Sequence, residues 1–587
     1  MRSSEESGSA ALEELRVAAA EYPLVNLAGP LGVGKSTLVA GLEGSVRVDL
    51  DRSDGPAVLR QALAAPAGRP VVVDSADGRQ RRDALRRELD RCGDRRPTVV
   101  VVSRKPLLSD PQWTHAATVT LAPAPEERIA ARAAAVADPD GRALVLRLAG
   151  GIPLIADVAC RALDAGVPPD AAGAIADQVA EEILERLGRE LPGRQWRHAL
   201  RLLATVGSGD ERLLPGGPDH FASLASLSVV GRGALGLQIT EPYRTVFELA
   251  YQWRRPEAHE SVRVRARDYR LTLLARAADR AERAVLTEQG LFLGAAPLVR
   301  RNLFPAAPST VRFRTAADAD AGDIGRLMRQ WALDGGFDAR RCDHLTERWA
   351  GDDISAFHIA YDRHERAIGL ANLMPIDERT ADGIEPLLQQ HSAAMAGGGL
   401  FLGAAHCPDQ AVRAQLLRHI LRQAALADGQ LVISTANAEY QGLVRSLGFR
   451  VHGAVRDDVY HCGRRPSVYS NDFSAAVLPW WLGRITGAGD GRAPEGGAPT
   501  RPRLAPKELQ ILLDYASGMT LKSAARRAGV TPNTAKDYLN RVKSKYRLAG
   551  RPAYTKIDLV HRVSEDGLGA TRPGEPPPRV DPWSGAP

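Results

Sequence analysis

Apolar and polar positions change rhythm several times along this chain, and each change predicts a different element. Near the start, Tyr22-Pro23-Leu24-Val25-Asn26-Leu27 is an apolar run, and Val71-Val72-Val73-Asp74 and Thr98-Val99-Val100-Val101-Val102 are almost uninterrupted β-branched runs. Runs that are apolar at every position fit parallel strands buried on both faces. Val119-Thr120-Leu121 is a shorter candidate of the same kind. Leu38-Val39-Ala40-Gly41-Leu42 and residues 126–149 and 153–164 read as helices, the longer two rich in Ala, Leu and Arg. Strands alternating with helices predict an α/β domain around a parallel sheet.

The rhythm differs further on. Strand-like runs recur at Phe357-His358-Ile359-Ala360-Tyr361, Ala367–Asn372 and Leu431–Asn437, whereas residues 504–563 read as helices throughout. There Leu509, Leu512 and Leu513 share one face of a first helix, Gly518 stops it, and Leu521–Ala528 forms a short second one. Gly529 supplies a tight turn, and Ala524 and Ala525 let the next helix cross closely. Thr531 is a good N-cap and Pro532 a good first helical residue. The third helix runs from about Pro532 to Tyr546, with Ala535, Leu539 and Val542 inward. Its other face offers Asn533, Thr534, Lys536, Asp537, Asn540, Arg541 and Lys543. Residues 485–503, rich in Gly, Pro and Ala, read as a flexible linker, and residues 564–587 as a disordered tail. A softer junction lies near 303–311, and no internal repeat is visible.

Composition narrows the class. At 587 residues the chain should hold about three to five domains. Its 44% hydrophobic and 25% charged content is ordinary for globular domains. Five scattered cysteines, Cys92, Cys160, Cys342, Cys407 and Cys462, include no pair at metal-ligand spacing, which suits a reducing cytoplasm. The polar start MRSSEESGSA does not read as a signal peptide, and no apolar run approaches the roughly 20 residues of a membrane span. A cytoplasmic protein with no membrane partner is expected. Net charge is +7, but residues 504–563 alone carry twelve Lys and Arg against four acidic residues. Their surplus of eight leaves −1 for the rest of the chain. Positive charge concentrated this way is the footprint of a nucleic-acid-binding module.

The sharpest motif is Gly29-Pro30-Leu31-Gly32-Val33-Gly34-Lys35-Ser36-Thr37, which spells G-x-x-x-x-G-K-S between the first apolar run and a helix. In such a loop, backbone N–H groups cradle phosphates, the lysine reaches the β/γ-phosphates and the serine ligates Mg²⁺. Lys35 and Ser36 take those places here, so ATP or ADP with Mg²⁺ is the expected cofactor. Asp74 ends an apolar strand about 40 residues on, where a second Mg²⁺-organising carboxylate belongs. An ordinary strand-end aspartate would look the same. Asp77 could orient the attacking water as a catalytic group or simply sit in a surface turn. Arg104, closing the next strand, could sense the γ-phosphate or be a solvated charge.

GPLGVGKST, VVVDSAD, VVVSRKP and LAGGIPLIADVA together resemble the STAND-type, NB-ARC-like ATPases, which are signalling switches. The resemblance spans about residues 20–300 and implies that Gly151 and Pro153 lie beside the adenine base. Residues 219–255 look like the winged-helix domain that follows in that family. Where its members often carry a Met-His-Asp-type triplet, this chain has Ile239-Thr240-Glu241.

Residues 310–475 resemble the GNAT-type N-acetyltransferase fold, chiefly through Asn437, Leu443, Gly448 and Phe449, spaced as in N-x₅-L-x₄-G-F. The chemical match is poor. Ala411-Val412-Arg413 stand where the family has the glycines that cradle the acetyl-CoA pyrophosphate, and Pro408 lacks an N–H. Val444 stands where a tyrosine often protonates the leaving thiolate; Tyr440, one turn earlier, is either a substitute or a packed tyrosine. A catalytically silent domain is expected, serving as ligand sensor or interaction platform, with acetyl-CoA a doubtful cofactor.

Residues 504–563 resemble the LuxR-type helix-turn-helix DNA-binding domain, through Leu504-Ala505-Pro506-Lys507-Glu508, Gly529-Val530-Thr531-Pro532-Asn533-Thr534-Ala535 and Tyr546-Arg547-Leu548. Ala505, Lys507 and Ala535 depart from its usual Thr, Arg and Val. The resemblance implies that the third helix enters the major groove. Asn533 and Lys536 would then meet base edges, and Thr534, Arg541, Lys543 and Lys545 phosphates, with Thr531, Asp537 and Asn540 on the same surface. A basic helical bundle that binds protein or RNA is the alternative.

The expected architecture is multidomain, α/β plus α: a P-loop domain with parallel sheet at 20–165, a helical and winged-helix region at 166–300, a GNAT-like α+β domain at 310–480, the 485–503 linker, an all-α helix-turn-helix at 504–563 and the 564–587 tail. The expected function is an ATP-controlled, sequence-specific transcription regulator acting on double-stranded promoter DNA. It would work as a dimer or higher homo-oligomer when active and could touch RNA polymerase. The rivals are an acetyl-CoA-dependent N-acetyltransferase with appended regulatory domains and a plain ATPase that its DNA module only localises.

Overall fold

The computed structural model describes residues 2–487 and 502–568, apart from short stretches at 66–68, 93–95, 108–112, 114, 192, 215, 295, 306–310, 363, 396–397, 549–550, 552 and 554. Two compact units divide the chain: Met1–Arg270 with Pro305–Ser309, and Leu271–Phe304 with Thr310–Pro587.

In the first unit, β1 (Leu24–Ala28), β2 (Val46–Asp49), β3 (Val71–Asp74), β4 (Val99–Ser103) and β5 (Ala117–Thr120) form one parallel sheet in the order β2-β3-β4-β1-β5. Its valine runs are continuous because both faces are covered. Val71, Val73, Val99 and Val101 pack with Leu59, Leu63, Leu85 and Leu89. Val72, Val100 and Val102 join Val25, Leu27, Leu15 and Val39 on the other side. Asn26, fully buried in β1, is fully satisfied: its amide donates to the Val101 carbonyl and Ser103 Oγ at 3.0 and 2.8 Å and accepts from Leu107 N. Edge strand β2 escapes the sequence reading because only Val48 of its four residues is buried.

The 126–149 stretch is two helices, Glu126–Ala133 and Pro139–Ala149, because Pro139 opens a new one behind the Asp138 cap. Beyond the Pro153–Asp164 helix, β6 (Ser208–Gly209), β7 (Val230–Gly233) and β8 (Gly236–Ile239) make a small antiparallel sheet. The Tyr243–Arg254 helix follows it.

The second unit contains a seven-stranded sheet: β9 (Arg312–Thr315), β10 (Phe357–Tyr361), β11 (Ala367–Pro375), β12 (Gly399–His406), β13 (Gln430–Thr435), β14 (Arg450–Ala454) and β15 (Ser467–Asp472). The order is β14-β15-β13-β12-β11-β10-β9, and only β12 and β13 run parallel. Their pairing stops at Leu402↔Ile433. Gly403 interrupts the register to β11, after which β12 stays paired with β11 and β13 with β15. The two parallel strands therefore part, and a cleft opens between them.

The division between units falls inside the Pro256–Arg276 helix and again after Phe304, within the stretch near residues 303–311 that the sequence reading marked as a junction. The Arg280–Phe292 and Pro297–Leu303 helices belong to the second unit, against the Gln410–Ala427 helix. Gly290 lets the Arg280–Phe292 helix approach the Leu478–Thr486 helix, since a Cβ there would lie 2.3 Å from Leu482 Cδ2. Near the end of the chain are the helices Pro506–Ala516, Leu521–Ala528, Pro532–Leu548 and Lys556–Glu565. Ile485 and Thr486, read as linker, instead close the Leu478–Thr486 helix, and Ser564 and Glu565, read as tail, end the final helix, with Leu568 buried just beyond it. The remainder of the expected linker at 488–501, and of the tail from 569, lies outside the described residues.

Trp481 is fully buried beside Phe473, and its indole N–H donates to the Leu447 carbonyl at 2.8 Å. Trp481→Ala should cost about 3–5 kcal/mol, read as a lower urea midpoint by circular dichroism. An unchanged midpoint would mean that this anchor does not hold the second unit together.

Candidate functional site

The glycine-rich loop joins β1 to the Lys35–Val39 helix and is shaped by what its glycines touch. A Cβ on Gly29 would lie 2.7 Å from the Leu121 carbonyl oxygen, and one on Gly32 would lie 2.5 Å from Leu154 Cβ. Gly32 and Gly34 take φ of +77° and +106°, which a side chain disfavours. Unlike the other two, Gly34 faces open space. Lys35 is 8% exposed, and its amine donates to the Gly29 and Pro30 carbonyls at 2.6 and 2.9 Å. Burial pulls its pKa down to about 8, against the opposing pull of Asp77. Ser36 and Thr37 are exposed, and Ser36 Oγ donates to Asp74 Oδ2 at 2.9 Å. The loop and the end of β3, 38 residues apart, thus meet with β4 lying between their strands.

Asp77 and Arg104 are tied to each other. The Arg104 backbone N–H donates to Asp77 Oδ1 at 2.9 Å, and its guanidinium Nε lies 3.3 Å from Oδ2. That guanidinium also pairs with Glu190, which accepts from Ser228 N and Oγ, both at 2.6 Å. Burial lowers the Arg104 pKa, and Asp77 opposes the shift. Gly151, at φ +83°, accepts at its carbonyl from Ala124 N, and Pro153 opens a helix whose Leu154 N–H donates to Gly32 O at 3.2 Å. That segment is therefore placed beside the glycine-rich loop.

Glu190 and Tyr243 carry no local signal along the chain. Tyr243 is 2% exposed, and its hydroxyl donates at 2.5 Å to the carbonyl of Leu31, within the glycine-rich loop and 212 residues away. Burial raises its pKa well above the ordinary phenol value. Of the triplet before it, Glu241 is engaged by its own helix, accepting from Arg244 and Thr245.

In the second unit, the cleft between β12 and β13 holds a cavity of about 160 Å³. Asn437 caps the Ala438–Ser446 helix, accepting from Glu439 N and Tyr440 N, while Leu443 and Phe449 are buried and Gly448 has φ +70°. Val444 and Tyr440 both line the cavity, and burial raises the Tyr440 pKa. At the cleft's rim, the N-terminus of the Gln410–Ala427 helix is occupied by its own chain: Asp409 Oδ1 accepts from Val412 N at 2.8 Å.

The last four helices enclose their own core of Ile511, Leu512, Ala525, Ala535, Leu539, Val542, Tyr546 and Leu559. Leu509 and Leu513 only flank it. Gly529 turns the chain at φ +67°, and Thr531 Oγ1 accepts from Thr534 N at 3.2 Å. Asn533, Lys536, Asp537, Asn540 and Arg541 are all exposed on one helix, whereas Thr534 and Lys543 are half-buried. Arg541 lies over the Tyr538 ring at 5.4 Å. Lys545 differs from them: its amine bonds the buried carboxylate of Glu508 at 2.6 Å.

No protein-family model and no curated protein matches this chain. Solved structures that it resembles include the Walker-type ATPase of Pyrococcus abyssi, 14% identical over 40% of this chain and 94% of that one, with a TM-score of 0.31. A Corynebacterium glutamicum protein described as histone acetyltransferase and related acetyltransferase is 16% identical over 28% of this chain and 96% of its own, with a TM-score of 0.21. The polyamine N-acetyltransferase of Drosophila melanogaster is 11% identical over 28% of this chain and all of its own, with the same score. At such scores the likenesses carry no argument about chemistry. Among the described residues, no helix is long and apolar enough to cross a membrane, and no cluster of His, Cys, Asp and Glu could hold a metal ion.

Tyr243→Phe would leave the Leu31 carbonyl without its donor in a buried place. The expected cost is about 1–3 kcal/mol, measured by urea unfolding followed through tryptophan fluorescence. No loss at all would mean that this contact does not brace the loop.

Proposed function

We infer that this protein is a nucleotide-controlled, sequence-specific DNA-binding transcription regulator of the cytoplasm. The observation that carries the nucleotide half is the meeting of Ser36 and Asp74 beside a loop whose Gly34 faces open space. ATP with Mg²⁺ fits this donor set. Bound Mg²⁺ would neutralise charge on the β- and γ-phosphates. Backbone N–H groups of the loop form the cradle, Lys35 turns its amine from two carbonyls to phosphate, and Ser36 and Asp74 organise the ion. Asp77 acts by holding Arg104, the residue placed to sense the γ-phosphate; both its oxygens are already committed there. Gly151 and Pro153 flank the base. ADP and ATP switch the protein only through different affinities for its domain arrangements.

The DNA half rests on an exposed, cationic helix face in a compact helical module with surplus positive charge. Following the LuxR-type resemblance, the Pro532–Leu548 helix enters the major groove, with Asn533 and Lys536 at base edges and Arg541 and Lys543 on phosphates. Thr531 and Thr534 fix the start of that helix, and Asp537 and Asn540 complete its surface. Lys545 reaches a phosphate only by sharing Glu508. The active form is a dimer or larger homo-oligomer on promoter DNA, and RNA polymerase is its further partner.

Acetyl-CoA does not fit the middle domain. Its pyrophosphate would meet the Asp409 carboxylate at the start of the Gln410–Ala427 helix, and Pro408 offers no N–H. The seven-stranded domain therefore serves as an input rather than as an acetyltransferase.

Two measurements test this reading. Gel retardation with ADP, with ATP and with Lys35→Ala should show nucleotide-dependent retention that the variant loses; equal binding in all three removes the switch. Phosphate binding requires the protonated Lys35 amine and raises its pKa, so affinity must fall as pH climbs past about 8. Calorimetry with a non-hydrolysable ATP analogue should show about tenfold weaker binding at pH 9 than at pH 7. A flat profile would mean that Lys35 does not meet phosphate.

A further inference from the structure

The cleft between β12 and β13 has a chemistry of its own. Its walls are apolar, with Trp331, Phe337, Leu417, Ile433 and Phe449 among them. Polar side chains interrupt them, including Asp334, Arg413, Asn437 and Tyr440, and among the described residues two others hold buried atoms without a hydrogen-bond partner. His406 is 5% exposed and Tyr460 1%, and among the described residues neither His406 Nε2 nor Tyr460 Oη has a hydrogen-bond partner. Unpaired buried polar atoms are costly, so two lining one cavity point to a ligand that completes them.

Their protonation states define that ligand. Burial keeps the His406 ring neutral, outweighing the pull of Asp334. Asp334 Oδ2 lies 3.6 Å from Nδ1 and favours a proton there, leaving Nε2 as an acceptor. Burial likewise keeps the Tyr460 hydroxyl protonated and able to donate. Its ring stacks on Phe337, with centroids 4.8 Å apart, and Trp331 meets it edge-on. Cys407 also lines the cavity, but burial pushes its thiol up to about 11, so it is no nucleophile. Asp334 and Arg413 line the cavity with opposite charges, so neither a cation nor an anion finds a net field there.

We propose that this cleft binds a small uncharged molecule with an apolar body and a hydroxyl group, of the class of phenols and short alcohols, held between His406 and Tyr460. The ligand's hydroxyl donates to His406 Nε2, and its oxygen accepts from Tyr460. Binding is non-covalent. This identifies the signal of the input domain and so rests on the regulatory reading for its purpose, although the binding itself does not.

The test titrates 4-ethylphenol into the full chain, by calorimetry and by quenching of tryptophan fluorescence. Ethylbenzene, 4-ethylbenzoate and acetyl-CoA are the comparators. Saturable binding of 4-ethylphenol is expected. Ethylbenzene and 4-ethylbenzoate should bind at least about tenfold more weakly, and acetyl-CoA not at all up to about 1 mM. His406→Leu and Tyr460→Phe should each weaken 4-ethylphenol by about tenfold, and Leu417→Trp, which fills the cavity, should abolish binding. Thermal melts identify a variant that has not folded, in which case the other two decide. Absence of saturable 4-ethylphenol binding, tighter binding of acetyl-CoA, or equal affinity in every folded variant overturns the proposal. Gel retardation with and without 4-ethylphenol separates the two readings: binding without any effect on DNA retention keeps this site and removes only its regulatory purpose.

Discussion

The first unit depends on keeping one ammonium group in a place that disfavours it. Lys35 is buried, lacks a carboxylate within hydrogen-bond reach among the described residues, and rests on two backbone carbonyls of its own loop. A charge in that position favours any anion that can enter the loop. The surroundings preserve the tension: Leu121 and Leu154 close the sides of the loop, and Tyr243 fixes Leu31 from outside. Ser36 and Asp74 meanwhile hold each other at 2.9 Å beside it.

The sequence disclosed what depends on neighbours along the chain. Valine runs revealed β3 and β4 because both faces of the sheet are covered, and the Gly529-to-Pro532 signals located a helix start closely. β2 was illegible because an edge strand with one buried residue has no pattern to read. The glycine-rich loop was legible as a motif, but its contacts with Tyr243 and Leu154 were not, since nothing local marks residues that meet across more than a hundred positions. Lys545 shows another limit. Its charge suggested an outward role, yet the partner that holds it, Glu508, is buried on a different helix.

The two units manage charge in opposite ways. In the glycine-rich loop a cation is desolvated, whereas at the start of the Gln410–Ala427 helix a carboxylate occupies the Val412 amide. Similar backbone devices, an open loop and a helix N-terminus, are thus set for contrary purposes by single residues. The same contrast explains why a familiar arrangement of strands carries little information about chemistry: what enters each cleft depends on a few side chains around it.

The triangle of Arg104, Glu190 and Ser228 has a consequence for sensitivity. Glu190 is a carboxylate already seated on the guanidinium and supplied with two further donors. Any incoming anion that seeks Arg104 must displace a tethered competitor whose effective concentration is fixed by the fold. Such an arrangement sets a threshold: weak or scarce anions leave the arginine where it is, and only one that brings other contacts wins it. Releasing Glu190 would also free the Ser228 loop, so the same displacement that admits a ligand would loosen a distant segment of the unit.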